Sequence, residues 1–309
     1  MALPAIRDVR RNFPGETIIV GARPSIAPVF RAVRDVDRVL VLDKGNEPGQ
    51  IRGDIGILLP NSFRSAWILR KAGVKERWGY RTDFRRPLLT RSVPKPRRRV
   101  SFPEYYSNLV RHLGIQTGPL TAHLQVPTVA TASAMTLLEE RGWKRDQPLI
   151  GIAPGAAFGH AKRWSPKRYA ELVSQLIDAG TACVILGRSE DRDAARDIKG
   201  IDLIGQTDLT LLMGVLSHCN VVVANDSGAL HLAGALGVPV VGIWGPTHER
   251  YSSPVTPYED SRTVAAISES VFCRPCFLAD CPIDHRCMKR ISTERVHEAV
   301  RRFLQETHA

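Results

Sequence analysis

A short polar turn between two apolar runs holds the residues best suited to chemistry. Asp226, Ser227 and Gly228 follow the apolar run Val221–Ala224, and His231 comes three residues after Gly228. This composition predicts a helix start, where unpaired backbone N–H groups and the helix dipole attract anions. His231 would share the face of that first turn. The pattern indicates a phosphate site, although an ordinary capped turn beside a core histidine has the same spacing.

A second candidate site is a loop that contains Lys162. The loop follows the apolar run Leu149–Ala153, and open α/β sheets bind ligands at the carboxyl ends of such strands. Its glycines, Gly155 and Gly159, fit neither the dinucleotide fingerprint nor the P-loop pattern. Lys162 is therefore either a phosphate ligand or a solvated loop lysine.

An acidic residue follows the next apolar run. Glu190 comes shortly after Ala182–Gly187, where nucleotide-binding α/β folds place an acid that binds ribose hydroxyls. An ordinary acid in the first turn of a helix would look the same.

Four cysteines lie close together near the end of the chain. Their spacing is C-x2-C-x4-C-x5-C, with His285 between the last two, and they are Cys273, Cys276, Cys281 and Cys287. Four thiols at such distances could bind zinc or an iron–sulfur cluster. The spacing matches neither standard pattern, so we assign no metal and expect a structural or packing role.

Strands alternate with helices along the whole chain, which predicts a parallel α/β fold. The polar stretch 142–148 is the predicted boundary between domains 1–145 and 146–309. Helices are predicted at 132–141, at 191–198 and, last, at 293–305. The basic stretch 81–99, with eight basic side chains and one acid, reads as a solvated mobile loop or as a site for an anion.

The charge of the chain points to an anionic partner. The 309 residues carry a net charge of +12, which suits nucleic acid, an anionic membrane or an acidic glycolipid. No zinc-finger, RNP-type or helix-turn-helix pattern supports nucleic acid. No apolar run reaches the roughly 18 residues of a membrane-spanning helix, and no signal peptide is visible, so we expect a cytoplasmic protein.

The string NDSGALHLAGALGVPVVGIWGPT, which begins at Asn225, resembles the hallmark segment of glycosyltransferase family 9, the lipopolysaccharide heptosyltransferases. In that family the segment holds the diphosphate of a nucleotide-activated heptose. Lys162, Trp164 and Pro166 match a Lys-x-Trp-Pro-like element of the family, with Ser165 intervening. The resemblance implies that Lys162 and His231 stabilise the leaving group and that the donor is bound by Lys162, Glu190, Asp226, Ser227, Gly228 and His231. It implies no metal and no cofactor.

The stretch Ile57–Val93 resembles the acceptor side of the heptosyltransferase II branch of the family. The resemblance implies acceptor binding by Asn61, Ser62, Arg64 and Arg81. It also implies the GT-B fold, in which two doubly wound Rossmann-like domains face a cleft, with the final helix packing back towards the first domain.

The resemblance departs from the family at the start of the chain. Family members begin with a strand and a Gly-Asp loop whose carboxylate is the general base, whereas Met1 here falls inside the first predicted helix. The implied reaction is inverting transfer of heptose from ADP-heptose to the inner core of lipopolysaccharide at the cytoplasmic face of the membrane. Two alternatives stay open: a nucleotide-sugar-binding homologue without transfer activity, and an NAD-type oxidoreductase, which the missing GxGxxG disfavours.

Overall fold

The computed structural model describes residues 1–260 and 262–306. The chain divides into two compact units, with Leu124 ending the first and Gln125 beginning the second. Within the described ranges, no helix combines the length and the apolar character needed to cross a bilayer.

The first unit contains two small parallel sheets, β1–β2 and β3–β4–β5. Its strands are β1 (Ile19–Ala22), β2 (Arg38–Val41), β3 (Ile55–Leu58), β4 (Glu76–Tyr80) and β5 (Arg91–Val93). Its helices are α1 (Leu3–Asn12), α2 (Ala27–Arg31), α3 (Glu47–Gln50), α4 (Phe63–Lys71) and α5 (Phe102–His112).

Two strands of the first unit were not anticipated from the sequence. Strand β4 contains charged residues, but it buries Trp78 and Tyr80, which pack against α5. Strand β5 lies inside the basic stretch predicted as a mobile loop, because Val93 is buried in the same cluster. The mobile-loop prediction is therefore wrong for 91–93.

The second unit is built on one six-stranded parallel sheet with the order β11-β10-β9-β6-β7-β8. Its strands are β6 (Leu149–Ala153), β7 (Ala182–Ile185), β8 (Ile201–Asp202), β9 (Val221–Asn225), β10 (Val240–Trp244) and β11 (Val264–Ser268). Its helices are α6 (Thr128–Glu140), α7 (Pro166–Asp178), α8 (Leu209–His218), α9 (Gly228–Ala235), α10 (Glu249–Ser252), α11 (Arg286–Lys289) and α12 (Thr293–Glu306).

This strand order is that of a doubly wound fold: strands after β6 are added on one side, towards β8, and strands after β9 are added on the other side, towards β11. Every residue of β6, β9 and β10 is buried, because helices cover both faces of the sheet and the strands are continuous apolar runs. The carboxyl ends of β6 and β9 therefore lie side by side at the switch point, where ligands bind in such sheets.

Two sequence predictions change in the second unit. The domain boundary lies before α6, because Ala134 and Leu138 of that helix belong to the second unit's core. The helix predicted at 191–198 is instead a 3-10 helix over Ser189–Ala195. The apolar residues Val296, Val300 and Phe303 of the final helix lie in the core of the second unit, and packing of this helix towards the first domain stays a prediction.

The close contact between α6 and α8 gives a stability prediction. A Cβ added at Gly214 would overlap the Ala130 carbonyl oxygen and approach the Ala134 Cβ to 2.9 Å. Gly214→Ala should therefore lower the free energy of unfolding by about 1–3 kcal/mol, since the two helices must move apart. Gly15→Ala is the control, because a Cβ there meets no atom within 4 Å. Chemical denaturation of both variants tests this, and an equal effect would contradict the predicted overlap.

Candidate functional site

A buried asparagine joins the two loops at the switch point. Asn225, fully buried at the end of β9, donates from Nδ2 to the Pro154 carbonyl oxygen at 2.7 Å. Its Oδ1 accepts from the Trp164 backbone N–H and the Tyr169 hydroxyl, both at 3.1 Å. Sequence reasoning treated Asn225 only as a turn residue. The available signal was an amide side chain at the end of an entirely apolar strand.

Asp226, the next residue, is the centre of a polar cluster. Its Oδ2 lies 2.7 Å from the Lys162 Nζ and accepts from the Thr247 hydroxyl at 2.7 Å. The Nε2 of His231 is 3.6 Å from Oδ1. The structure thus brings Lys162 together with Asp226 and His231, which are distant from it in sequence. Thr247 was not predicted as a member of the cluster.

The cluster fixes the charges of its members. Burial alone would raise the pKa of Asp226, but the hydrogen bond with His231, the charge of Lys162, and the bonds from Lys162 and Thr247 outweigh it and hold that pKa well below the usual range. Burial lowers the pKa of His231, and the opposing effect of Asp226 does not restore it. At neutral pH the carboxylate is therefore ionised and the imidazole is neutral.

The start of α9 is open beside this cluster. Ser227 stands at the N-cap position in an extended conformation, and its side chain makes no capping bond. The Ser227 Oγ is buried and has no hydrogen-bond partner. A Cβ added at Gly228 would meet nothing within 4 Å, so there is open space next to the first turn. The backbone N–H groups of that turn have no partner within the helix and are available to an anion.

The cysteine-rich segment supports the loop that carries Lys162. The Ala161 N–H donates to the Ala279 carbonyl oxygen at 2.8 Å, and the His285 Nε2 lies 2.6 Å from the Ala161 carbonyl oxygen. Gly159 adopts a φ of +111°, and a Cβ there would overlap Ala279. The segment therefore fixes the backbone directly before Lys162.

The cysteines themselves are free thiols. Cys287 is buried, Cys276 is exposed, and Cys273 and Cys281 are intermediate. Over residues 1–260 and 262–306, no group of three or more His, Cys, Asp or Glu side chains is arranged to hold a metal ion.

Glu190 does not join the cluster. It is exposed in the 3-10 helix after β7, whereas its neighbour Asp191 is buried. The Asp191 carboxyl lies so close to Gly155 that an added Cβ would overlap it, and it pairs with Arg163 at 3.3 Å. Asp191 is therefore the acid that contacts the loop carrying Lys162. Ribose binding by Glu190 stays a prediction.

The predicted acceptor residues lie in the first unit. Asn61, Ser62 and Arg81 follow the carboxyl ends of the neighbouring parallel strands β3 and β4, so they lie at one edge of that sheet. Ser62 caps α4 by accepting from the Ser65 N–H at 3.3 Å, and the Asn61 Oδ1 accepts from the Tyr105 hydroxyl at 3.1 Å. Arg81 is exposed to solvent.

Arg64 already has an intramolecular partner. Its Nη2 lies 2.7 Å from the Glu47 Oε1, and this hydrogen bond, with others, lowers the pKa of Glu47 to about 2. The Glu47 carboxyl is therefore ionised at neutral pH, and part of the Arg64 guanidinium is occupied.

Arg85 is a buried arginine that sequence reasoning did not single out. Its Nε donates to the Tyr80 carbonyl oxygen at 2.8 Å, and its Nη1 donates to the Ser65 hydroxyl at 3.1 Å and to the Pro60 carbonyl oxygen. Arg85 thus joins the loops that follow β3 and β4. Within a run of basic residues, nothing in the sequence distinguishes the buried one.

Comparison with known proteins shows the family of the chain. The sequence profile of glycosyltransferase family 9 (heptosyltransferase) matches residues 49–286. Lipopolysaccharide heptosyltransferase 2 of Escherichia coli strain K12 is 29% identical over 290 residues, covering 83% of this chain and 82% of that protein. Lipooligosaccharide heptosyltransferase 2 of Haemophilus ducreyi is 29% identical over 286 residues, covering 81% of this chain and 80% of that protein.

A solved structure shows the same fold. The structure of the Escherichia coli ADP-heptose lipopolysaccharide heptosyltransferase II has a TM-score of 0.83 and 26% identity, and the match covers 100% of this chain and 95% of that one. This similarity confirms the predicted α/β GT-B fold class. The family match spans most of the chain, and the protein is therefore a glycosyltransferase of family 9, the heptosyltransferases.

Proposed function

We propose that this enzyme transfers heptose from ADP-heptose to the inner core of lipopolysaccharide, with inversion at the anomeric carbon. The observation that carries the proposal is the Lys162–Asp226–His231 cluster beside the open start of α9. The names of its relatives supply the substrates, because the similar Escherichia coli protein is described as an ADP-heptose lipopolysaccharide heptosyltransferase.

Lys162 is the residue we assign to the leaving diphosphate. An ammonium group has three N–H donors, and Asp226 accepts from Lys162 through its Oδ2 at 2.7 Å and, more weakly, through its backbone carbonyl oxygen at 3.5 Å. The remaining donor, the Ser227 Oγ and the first N–H groups of α9 would face the diphosphate. Charge develops on ADP as it leaves, so fixed donors at this point stabilise the transition state more than the bound donor.

Asp226 is a positioning residue in this proposal. Its carboxylate would repel a phosphate, but it holds the Lys162 ammonium and accepts from Thr247. His231 is neutral and directs its Nε2 at the same carboxylate. We therefore assign His231 the role of orienting Asp226, from its position in the first turn of α9. This assignment modifies the direct leaving-group role predicted for His231.

The acceptor would enter at the edge that carries Asn61, Ser62 and Arg81. An acceptor hydroxyl loses its proton to a general base and attacks the anomeric carbon, while the bond from that carbon to the diphosphate oxygen breaks and its electron pair leaves with ADP. A single displacement of this kind inverts the anomeric centre. Arg81 supplies positive charge for an anionic saccharide, and the part of the Arg64 guanidinium that Glu47 leaves free supplies hydrogen-bond donors. Because that saccharide is anchored in lipid, we place the enzyme in the cytoplasm, at the inner face of the membrane.

A transfer assay tests this function. The protein is mixed with ADP-heptose and lipopolysaccharide truncated after its first heptose, and ADP release and acceptor mass are measured. We expect stoichiometric ADP release and addition of one heptose to the acceptor. Binding of ADP-heptose without any release of ADP would instead support a binding protein without transfer activity.

A further inference from the structure

Three exposed aromatic side chains form a patch on the first unit. Phe63, Trp67 and Phe84, here called the aromatic patch, are 45%, 41% and 95% exposed. Phe63 and Trp67 are one turn apart on α4 and so lie on one face of that helix. The loop segment that carries Phe84 comes close to the start of α4, because the carboxylate of its neighbour Asp83 accepts from the Phe63 N–H at 2.6 Å.

The loop that presents Phe84 is anchored. Asp83 and Phe84 both have positive φ angles, of 49° and 56°, which are uncommon for residues other than glycine. The surrounding structure must hold them in this conformation. The next residue, Arg85, is fully buried and donates hydrogen bonds to the Tyr80 carbonyl oxygen and the Ser65 hydroxyl, which anchors the loop. Phe84 is therefore fixed in an outward position.

Basic residues surround the aromatic patch. Lys71 places its Nζ 5.0 Å from the centre of the Trp67 ring, and Arg70 and Arg86 are exposed on the same helix and loop. The nearby acids have partners: Asp83 accepts from the Phe63 N–H, and Glu47 pairs with Arg64. The surface therefore combines apolar rings with a positive rim.

We propose that the aromatic patch inserts into the headgroup region of an anionic phospholipid bilayer. Aromatic rings favour the membrane interface, and lysine and arginine beside them attract anionic headgroups. A nucleic acid would need exposed base-stacking rings along a groove, whereas these rings are exposed on one helix and one loop. Phe63 directly follows Ser62, so membrane contact here would bring the acceptor edge to the surface where a lipid-anchored saccharide lies. The orientation of the acceptor rests on the proposed function, but the lipid contact does not.

Vesicle sedimentation tests the lipid contact. The full chain is mixed with vesicles of phosphatidylcholine, pure or with about a third phosphatidylglycerol to supply negative surface charge. We expect binding only to the anionic vesicles, and about tenfold weaker partitioning for Phe84→Ala because one buried ring is lost. Phe272→Ala is the matched control, since Phe272 is 78% exposed in the second unit and also lies beside an arginine, Arg286.

Tryptophan fluorescence locates the contact. Trp67 is 41% exposed, whereas the other four tryptophans, Trp78, Trp143, Trp164 and Trp244, are at most 9% exposed. Anionic vesicles should therefore shift the emission to shorter wavelength, and Trp67→Phe should lose the shift while it still binds. No binding to anionic vesicles, equal binding by Phe84→Ala, or no emission shift would overturn the proposal. These vesicles contain neither saccharide nor ADP-heptose, so the transfer assay can succeed or fail independently.

Discussion

Replacing Lys162 by alanine is expected to lower the rate of heptose transfer by a factor of about 10²–10³, the usual cost of removing one donor to a developing negative charge. The Lys162 side chain is 15% exposed, and its ammonium group contacts Asp226, which precedes the open start of α9. Calorimetric titration with ADP should also show weaker binding. Steady-state kinetics with ADP-heptose measures the first effect directly.

Two controls separate the role of Lys162 from general damage. Lys167→Ala removes an exposed lysine from the first turn of α7 and should leave both rate and ADP binding unchanged. Denaturation of Lys162→Ala reports whether Asp226, left buried without its cation, destabilises the fold. A folded Lys162→Ala protein with wild-type turnover would remove Lys162 from the proposed mechanism.

The second unit was largely predictable because its sequence signals are local and redundant. The runs Leu149–Ala153 and Val221–Ala224 are continuous and apolar, so they read as strands buried on both faces, and the structure has them as β6 and most of β9. Polar residues then follow each run. Parallel strands bring such ends to one edge, and this is why Lys162 and Asp226 meet although 64 residues separate them.

The partners that complete the site were harder to predict. Asn225, Thr247 and Arg85 act through hydrogen bonds to backbone or side chains in other loops. Such contacts depend on three-dimensional placement and leave no periodic pattern in the sequence. Glu190 illustrates another difficulty. The sequence pattern singled out this acid after β7, but the buried acid there is its neighbour Asp191. A shift of one residue decides which side chain faces inward.

The first unit was less predictable, because its strands are short and only partly buried. Strand β4 begins with Glu76 and Arg77, and β5 with Arg91, so neither presents the apolar run that signals a strand. Their burial is concentrated in a few side chains, such as Trp78, Tyr80 and Val93. The α6 boundary was missed for a related reason: the polar stretch 142–148 looks like a linker, yet Trp143 within it is buried in the second unit's core.

Asp226→Asn should destabilise the second unit and should increase the stabilisation that ADP binding gives it. The substitution leaves the Lys162 ammonium largely buried without a counter-charge, and losing one member of such a pair costs about 3 kcal/mol of unfolding free energy. The diphosphate of ADP would supply the missing negative charge. ADP should therefore raise the melting temperature of Asp226→Asn by more than it raises that of the wild type. Thermal denaturation with and without ADP measures the difference.

The difference in unfolding free energy between the wild type and Asp226→Asn should also depend on pH. The pKa of Asp226 is lower in the folded protein than in the unfolded chain, where it is about 3.9, so its stabilising effect is complete above that value and is lost as pH falls towards the folded pKa. The asparagine variant has no such loss. The gap in unfolding free energy between wild type and Asp226→Asn should thus be constant near neutral pH and narrow below about pH 4.

A surface acid supplies the matched control for both measurements. Asp193→Asn removes a carboxylate that is 84% exposed and pairs with Arg196, so it should alter neither the unfolding free energy nor the response to ADP measurably. If Asp226→Asn gave the same ADP-induced rise in melting temperature as the wild type, the diphosphate would not be replacing the carboxylate beside Lys162. The donor would then have to bind elsewhere. A larger rise in Asp226→Asn alone would place the anion of the donor against the Lys162 ammonium, because only there does the substitution leave a buried charge to be neutralised.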